Sequence, residues 1–552
     1  MIRYILKHKL IFCTLAMAFI LTLIPIIFDG QYGCVNNQCG FIIGTNYRDG
    51  VWFQAVAANA FNTFPFRMPN FSGALLTGYH FLPNLFTYFL NRVGIPIPIT
   101  YYKIIPFLYM CLLVFFSLKY ARKIKDNPQF VLFFLFFTFF GIPLTLITSL
   151  YHFGHINNNL LINTFQATRV LESIHFALSF IILLVVLILM NKKNLTVKEK
   201  IIIGILIFFI FGIKFYVAVI MFWLLLLHET ITVLRQKKLK KYFFSLFIYG
   251  ISAFVSILIF YNPFTASKSG SIFSFAPFAT VHHLIENEAL FYIPNMVLAR
   301  YYLYAHGISP RLIAIELFST FLFVIFYFGT RVLGFFYIAK QVVTRKINQF
   351  EIVLTSGILL GIVLSVMFVQ KGDWFNPMQF AVVSAFLMNI FAAKFMYELF
   401  HKQKVFGILI GIVVFILTFI PNLVNLGYFS NPARYVIPQE ELEALNVLKK
   451  SPDGPIFTPI IDPDMAYVSA FTGKQTYINF ISVLENTGIQ FQKRLQETKD
   501  VNTINVDMLN VKYAYVPTKY NDYLRLVRKF KESKKYKEIL INSKVVIFEK
   551  II

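Results

Sequence analysis

The sequence predicts an α-helical polytopic membrane protein that ends in a small C-terminal α/β soluble domain. Three observations lead to this fold class. Of the 552 residues, 57% are hydrophobic and only 14% are charged, whereas soluble domains carry about 25% charged residues. Apolar runs long enough to cross a bilayer recur throughout residues 1–427. From residue 428 to 552 the composition is mixed, and helical and β-type patterns alternate.

The membrane part of the prediction depends on ten apolar runs. One of them, 201–234, is too long for a single helix, and Gly212 and Lys214 interrupt it. We therefore predict two short helices that meet at this point, which makes about eleven spans in all. We interpret the first run as a retained span rather than a cleaved signal peptide. The runs are 10–28, 102–119, 128–150, 170–190, 201–234, 242–261, 312–339, 350–370, 376–398 and 404–426.

The basic residues indicate how these spans are oriented. Nucleic-acid binding could explain a formal net charge of +25, but the Lys and Arg residues concentrate in alternate short loops, as the positive-inside rule describes. We expect no nucleic-acid partner, a plasma-membrane location, a cytoplasmic N-terminus and an extracytoplasmic C-terminal domain. The alternation of basic loops holds only if 74–92 does not span the bilayer. We therefore predict that this segment is a helix lying in the interface, with a step at Pro83. The basic loops are 119–125, 191–200, 235–241, 340–346 and 401–404.

The C-terminal segment 428–552 shows the alternation of a small α/β domain. A helical pattern covers 438–450, and a basic amphipathic helix is predicted over 520–537. Short β-type runs are predicted at 456–459, 511–516 and 544–549.

The four cysteines fall into two groups. Cys13 and Cys111 lie in apolar runs, where a thiol is expected to be inert. Cys34 and Cys39 lie in the first outer loop, 29–101, where the compartment permits a disulfide, and the spacing leaves this pairing open.

The first outer loop carries the leading functional candidate, Asp49, next to Arg48. A carboxylate just outside the membrane can act as a general base or orient an acceptor hydroxyl. It can equally serve as the N-cap of a helix that begins near Val51. Arg48 can pair with Asp49, bind a phosphate or remain a solvated surface charge. Later in the loop, Tyr79 and His80 are placed on the interface helix as candidate substrate contacts.

Further candidates lie in later segments. His152 and His155 form a His-x-x-His pair and are candidate substrate contacts. With a distant carboxylate such a pair could bind a divalent metal, but nothing local completes a ligand set. Arg169 lies three residues before Glu172, so an ion pair is the default and an anion clamp the alternative. The cationic candidates for substrate binding are Arg169, Lys214 at the helix break, and Lys371 in a short outer hairpin. For Lys214 the alternative is a side chain that snorkels to the interface.

The stretch FPFRMPNFSGALLTGYHFLPNLF, 64–86, together with the loop and span order, resembles the GT-C glycosyltransferases. This resemblance implies transfer of a hexose or pentose from a polyprenyl-phosphate sugar to an envelope glycan, lipid or protein. It places the catalytic carboxylate at Asp49. Many members have two acidic residues in tandem there, whereas this chain has Arg48 and Asp49. Some members bind a divalent metal, so a metal cofactor is possible here.

Two other functions remain open from the sequence. A helix break and an intramembrane charge are also typical of a transporter or flippase for a lipid-linked substrate. A non-catalytic scaffold for envelope assembly, with the C-terminal domain as its binding part, is the third reading. No Walker, GxSxG, HExxH or Rossmann motif is present in the sequence.

Overall fold

The computed structural model describes residues 2–35, 38–44, 46–156, 164–192, 195–236, 239–266, 273–287, 292–370, 375–429 and 435–551. The chain forms two compact units. The helical unit comprises Met1–Ile24, Phe107–Ile257 and Phe273–Phe429. The α/β unit comprises Pro25–Pro106, Leu258–Ile272 and Ser430–Ile552. The first outer loop therefore groups with the C-terminal chain, which the sequence places in a separate domain from residue 428.

The predicted fold class is confirmed, because the chain is mostly helical with small sheets, and eight described helices are long and apolar enough to cross a bilayer. A ninth span is possible if Pro128–Phe140 and Thr145–Phe153, bent by 48°, count as one. The helices Ile174–Met190 and Val197–Ile213, each of 17 residues, also lie within predicted spans. The other spanning helices are Lys9–Phe28, Ile97–Ile124, Phe215–Arg235, Tyr242–Phe260, Pro310–Val343, Gln349–Met367, Met378–Lys402 and Lys404–Gly427.

Shorter elements complete the helical unit. Its remaining helices are Ile2–Lys7, Ala279–Ile285 and Pro294–Ala305, with 3-10 turns at Ala167–Arg169 and Gly329–Val332. The strands Phe273–Phe275 and Phe368–Gln370 pair antiparallel.

The predicted break in the run 201–234 lies at Lys214. A Thr196 capping box with Glu199 begins the first helix, Val197–Ile213, and Lys214 follows it in an extended conformation. The second helix, Phe215–Gln236, has 22 residues. The position of the break is thus confirmed, but the second helix is full length rather than short, because 215–234 is by itself a mostly apolar run of 20 residues.

A buried arginine organises the bend after Pro128–Phe140. Arg331 is 1% exposed. Its Nε donates to Asn389 Oδ1 at 2.7 Å, and its Nη2 donates to the carbonyls of Phe137 and Phe165, both at 3.3 Å. The Phe137 carbonyl also accepts from Gly141 N at 3.1 Å, and the helix dipole favours a cation near this C-terminal end. A Cβ at Gly141 would lie 2.5 Å from the guanidinium, which explains the glycine.

We expect Arg331→Ala to lower the free energy of unfolding by about 3 kcal/mol, because the Asn389 amide oxygen and the Phe165 carbonyl lose this buried donor. Arg311→Ala, which removes an exposed arginine near the start of the same span, is the matched control. Thermal unfolding of the purified protein in detergent measures both. Equal melting temperatures for the two variants would contradict the structural role of Arg331.

The α/β unit begins with a hairpin that contains Cys34 and Cys39, the two cysteines whose pairing the sequence leaves open. Strands Gln31–Val35 and Gln38–Ile43 pair antiparallel, with Cys34 opposite Cys39, and the two cysteines form a disulfide. Strand Tyr435–Pro438 adds to the second strand of the hairpin. The first outer loop and the C-terminal chain therefore share one sheet.

The C-terminal part forms a four-stranded mixed sheet with helices around it. The strand order is Ile456–Phe457, Tyr513–Pro517, Val545–Lys550, Tyr536–Ile541, and the first pair is parallel. The strands predicted at 456–459, 511–516 and 544–549 lie here. The helices of the α/β unit are Tyr47–Asn59, Leu82–Arg92, Ile97–Ile99, Pro263–Ala266, Gln439–Lys450, Tyr467–Thr472, Ile481–Thr487, Gln492–Lys499 and Tyr523–Glu532, with 3-10 turns at Ala60–Asn62 and Val506–Met508 and a π turn at Thr100–Ile104.

Two predicted helices of this unit are shorter than expected. The basic helix predicted over 520–537 is Tyr523–Glu532, and strand Tyr536–Ile541, which the sequence reading missed, pairs with Val545–Lys550 instead. The helix predicted over 74–92 is Leu82–Arg92. Its buried positions include Asn84 and Thr87, whereas Phe86 and Phe89 are exposed. An apolar exposed face of this kind is typical of a helix that lies in a membrane interface.

Candidate functional site

The helix Tyr47–Asn59 presents the leading candidate residues. Its middle is closely packed, since Val51, Ala55 and Val56 are fully buried. In its first turn, Arg48 and Asp49 are exposed. A carboxylate in the first helical turn is favoured by the positive end of the helix dipole. The fold therefore holds Asp49 at the solvent-accessible end of an otherwise buried helix.

The N-cap reading of Asp49 is wrong. The helix begins at Tyr47, so its N-cap is Asn46, and Asp49 is the third helical residue. The side chain of Asn46 makes no capping bond; its amide donates to the Tyr101 hydroxyl at 3.0 Å. The sequence placed the start of the helix near Val51 because the apolar periodicity begins there, while Tyr47 to Gly50 join the helix through the packing of the unit.

Aromatic rings form one wall of this site. Trp52, which follows Asp49 by three residues, is 2% exposed. Its ring meets Tyr79 edge to face, with centroids 5.7 Å apart, and lies 6.1 Å from Phe480. The wall thus combines a ring from the helix, one from the later outer loop and one from the C-terminal chain.

Tyr79 lies close enough to Asp49 for the two to interact. Burial raises the pKa of the Tyr79 hydroxyl well above its ordinary value, and the negative charge of Asp49 raises it further. Tyr79 therefore stays protonated and can donate a hydrogen bond. His80 stacks on Tyr79 with centroids 4.7 Å apart. Both residues precede the helix Leu82–Arg92, so their predicted position on that helix is wrong; Pro83 sits in its first turn and defines the start.

The structure adds an acidic residue that the sequence reading missed, Asp464. Its carboxylate accepts from the backbone amides of Phe480 at 2.7 Å and Ile481 at 2.8 Å, at the start of helix Ile481–Thr487. Burial raises the pKa of this carboxyl group, while the two amide bonds and the charge of Arg48 act in the opposite direction. The Arg48 guanidinium lies 5.9 Å from the centre of the Phe480 ring. Arg48 thus faces C-terminal residues as well as neighbouring Asp49.

Hydrogen bonds fasten the outer loop to the C-terminal chain around this site. Most of them involve the backbone, so they fix the course of both segments. Asn70 is fully buried, and its amide reaches residues 409 and 410 positions later. The bonds run from Asn70 Nδ2 to the carbonyls of Asn479 (2.9 Å) and Phe480 (3.2 Å), from Ser72 N to Thr476 O (2.8 Å), from Thr476 N to Pro69 O (2.9 Å), and from Arg494 Nη1 to Ser72 O (2.9 Å).

The predicted cationic candidates lie in the helical unit. Arg169 is 4% exposed, and its Nη1 lies 3.1 Å from Glu172 Oε2, so the default ion pair is present. The Lys214 ammonium lies 4.8 Å from the centre of the Phe176 ring and 5.7 Å from that of Tyr216, a cation–π arrangement. Lys371 lies outside the described residues.

The two histidines of the next loop are separated by a helix end. His152 is in the last turn of Thr145–Phe153, and Gly154 follows with φ of +65°. The Nδ1 atom of His155 lies 2.8 Å from the carbonyl oxygen of Phe153. Within the described ranges, no group of three or more His, Cys, Asp or Glu side chains is placed to hold a metal ion.

The fold and the site define a polytopic membrane protein whose α/β unit presents an exposed acid beside an aromatic wall. Two solved structures are similar to this chain. One is the archaeal oligosaccharyltransferase AglB from Archaeoglobus fulgidus, in complex with an inhibitory peptide and a dolichol-phosphate (12% identity, TM-score 0.48, 97% of this chain and 73% of that chain). The other is the apo form of the Archaeoglobus fulgidus oligosaccharyltransferase (13% identity, TM-score 0.47, 94% and 71%). No protein-family model and no curated protein matches the sequence.

We expect the stability contributed by Asp464 to depend on pH. Its folded-state pKa is raised, so its contribution is fully present below the unfolded value of about 3.9 and is lost as the pH rises through the folded value. Relative to Asp464→Asn, the wild type should therefore lose melting temperature as the pH rises above about 4. Thermal unfolding in detergent across this range measures the difference.

The matched control for this measurement is Asp522→Asn, which changes a partly exposed aspartate of the same unit. If the melting temperatures of the wild type and Asp464→Asn differ by the same amount at every pH, burial does not govern the charge of Asp464.

Proposed function

We propose that the protein is an integral membrane glycosyltransferase of the GT-C type, which uses a polyprenyl-phosphate sugar and an envelope acceptor. One observation carries the proposal. Asp49 is exposed at the first turn of a helix that is otherwise buried, and it lies beside Tyr79 and the aromatic wall. A catalytic group needs a rigid support and an open approach, and both are available to this carboxylate.

In the proposed reaction, Asp49 accepts the proton of the acceptor nucleophile as the acceptor atom bonds to the anomeric carbon. The bond from that carbon to the phosphate oxygen breaks, and the configuration inverts. The bonding electrons leave with the polyprenyl phosphate, which gains negative charge. A general base of this kind contributes about 10²–10⁴-fold to the rate.

The aromatic wall and Tyr79 would orient the sugar and the acceptor. The buried rings of Trp52 and Phe480 support Tyr79. The partly exposed Tyr79 ring suits the apolar face of a sugar, and its protonated hydroxyl can donate a hydrogen bond to a substrate oxygen. His80, stacked on Tyr79, would extend this surface.

Cations would stabilise the charge that develops on the leaving phosphate. Arg48 is the candidate in the α/β unit. The cationic candidates of the helical unit are Arg169, which pairs with Glu172, and Lys214, which lies at the helix break against two aromatic rings. Lys371 remains a cationic candidate because of its position in the sequence. The orientation proposed from the basic loops, with a cytoplasmic N-terminus and an outer α/β unit, would place the reaction on the outer face of the plasma membrane.

We expect Asp49→Asn to lower sugar transfer about a hundredfold or more, because the amide cannot accept the proton. The purified protein is incubated with a panel of polyprenyl-phosphate hexoses and pentoses labelled in the sugar, together with a membrane extract that supplies acceptors. The rate at which label leaves the lipid fraction is then measured. Asp522→Asn is the matched control and should transfer at the wild-type rate.

Undiminished transfer by Asp49→Asn would remove this residue from the mechanism, and a wild type inactive toward the whole panel would contradict the donor class. The helix break at Lys214 favours a second candidate, a carrier of lipid-linked substrates. Reconstituted vesicles separate the two functions, since an enzyme transfers sugar without moving the lipid across the bilayer and a carrier does the reverse.

A further inference from the structure

An apolar groove opens on the helical unit. It has a volume of about 570 Å³ and is lined by side chains from four helices, Lys9–Phe28, Pro128–Phe140, Met378–Lys402 and Lys404–Phe429. Seven of its 17 lining residues are phenylalanines. Ligand sites usually carry a few placed polar groups among apolar ones, but the lining here is almost entirely hydrocarbon. The groove therefore suits a hydrocarbon chain rather than a polar ligand.

Aromatic stacking shapes the groove. Phe136 stacks on Phe140 with centroids 5.4 Å apart and on Phe415 at 6.2 Å. At Gly411, an added Cβ would lie 3.3 Å from the ring of Phe400, tighter than ordinary contact. The space thus depends on a glycine and on rings that support one another, so it is part of the packing of the unit.

One end of the groove is cationic. Leu10, Phe400 and Ile408 line it, and the helices that carry them begin or end at lysines that are all exposed. These lysines are Lys9, Lys402 and Lys404.

The carboxylates nearest in sequence to this end already have other partners. Asp126 pairs with Arg122 at 2.8 Å, and Glu398 pairs with Lys340. Within the described ranges, Lys9, Lys402 and Lys404 form no ion pair with a carboxylate. This end therefore keeps a positive charge that can attract an anionic group.

The groove is also confined in depth. Along the first helix it extends from Leu10 to Met17, and along the fourth from Ile408 to Phe419. Twelve helical residues rise roughly 18 Å, less than the ~30 Å hydrocarbon core. A chain in the groove would thus enter from the leaflet at the basic end.

We propose that this groove holds one acyl chain of an anionic phospholipid, with the phosphate of its headgroup at Lys9, Lys402 and Lys404. Charge complementarity at the basic end and the apolar lining select this occupant. The site is independent of the proposed sugar transfer.

Native mass spectrometry of the purified protein tests the charge contribution, with phosphatidylglycerol and phosphatidylcholine of the same chain length added in equal amounts. Each lysine near a charged headgroup contributes about 1 kcal/mol, so the wild type should retain phosphatidylglycerol at least about tenfold more than phosphatidylcholine. The combined change Lys9→Gln, Lys402→Gln and Lys404→Gln should bring this ratio close to one. The matched control removes three exposed charges outside the groove lining, with Lys198→Gln, Arg235→Gln and Lys346→Gln, and should leave the ratio unchanged.

Cys13 tests the location, because it lines the groove and is exposed. In a Cys111→Ser background, treatment of the folded protein with N-ethylmaleimide adds bulk at Cys13 and should lower phosphatidylglycerol retention several-fold. The same treatment of the variant that also carries Cys13→Ser should have no effect. Equal retention of both lipids by the wild type, or unchanged retention after alkylation, would overturn the proposal. Displacement of phosphatidylglycerol by an equal amount of polyprenyl phosphate would overturn it in favour of a lipid-linked substrate.

Discussion

The attachment of the first outer loop to the C-terminal chain is the constraint on which the α/β unit depends. Strand Gln38–Ile43 pairs with Gln31–Val35 on one side and with Tyr435–Pro438 on the other. The Asn70 side chain donates to the carbonyl of Asn479, which lies 409 residues later in the chain. Buried backbone polar groups must find partners, and in this unit each segment supplies those of the other. The aromatic wall beside Asp49 exists because this attachment brings Phe480 to Trp52 and Tyr79.

The positive charge of the chain serves several physical purposes. In the short loops it follows the positive-inside pattern, from which we expect the orientation of the spans. Arg331 is buried and donates to carbonyls near a helix end, a structural use that accounts for an ionisable group in the hydrophobic part of the chain. Lys214 lies against aromatic rings at a helix break, and Lys9, Lys402 and Lys404 lie at the ends of helices that line an apolar groove. The net charge of +25 therefore includes basic residues that have separate local roles.

The candidate site could be predicted from the sequence in part. Asp49 and Arg48 stand out because acidic and basic side chains are rare in so apolar a chain, and the loop around them is long and polar. The sequence identified Tyr79 and His80 as candidates but placed them on the helix rather than before it. Pro83 is compatible both with a step inside a longer helix and with the first turn of a helix that begins at Leu82. Asp464 carries a weak local signal, an Asp-Pro-Asp sequence at 462–464, and nothing in that segment indicates its partner.

By itself, the sequence determined the membrane class, the approximate positions of the long helices and the break at Lys214, because hydrophobic length and interruption are local properties of the chain. Only the tertiary structure decided that Arg48 faces Asp464, that strand Tyr536–Ile541 replaces the end of a basic helix, and that Cys34 pairs with Cys39. The first two depend on partners distant in sequence or on a competing β pairing, whose free energy no local pattern contains. The disulfide depends on the hairpin register that sets the two cysteines opposite each other.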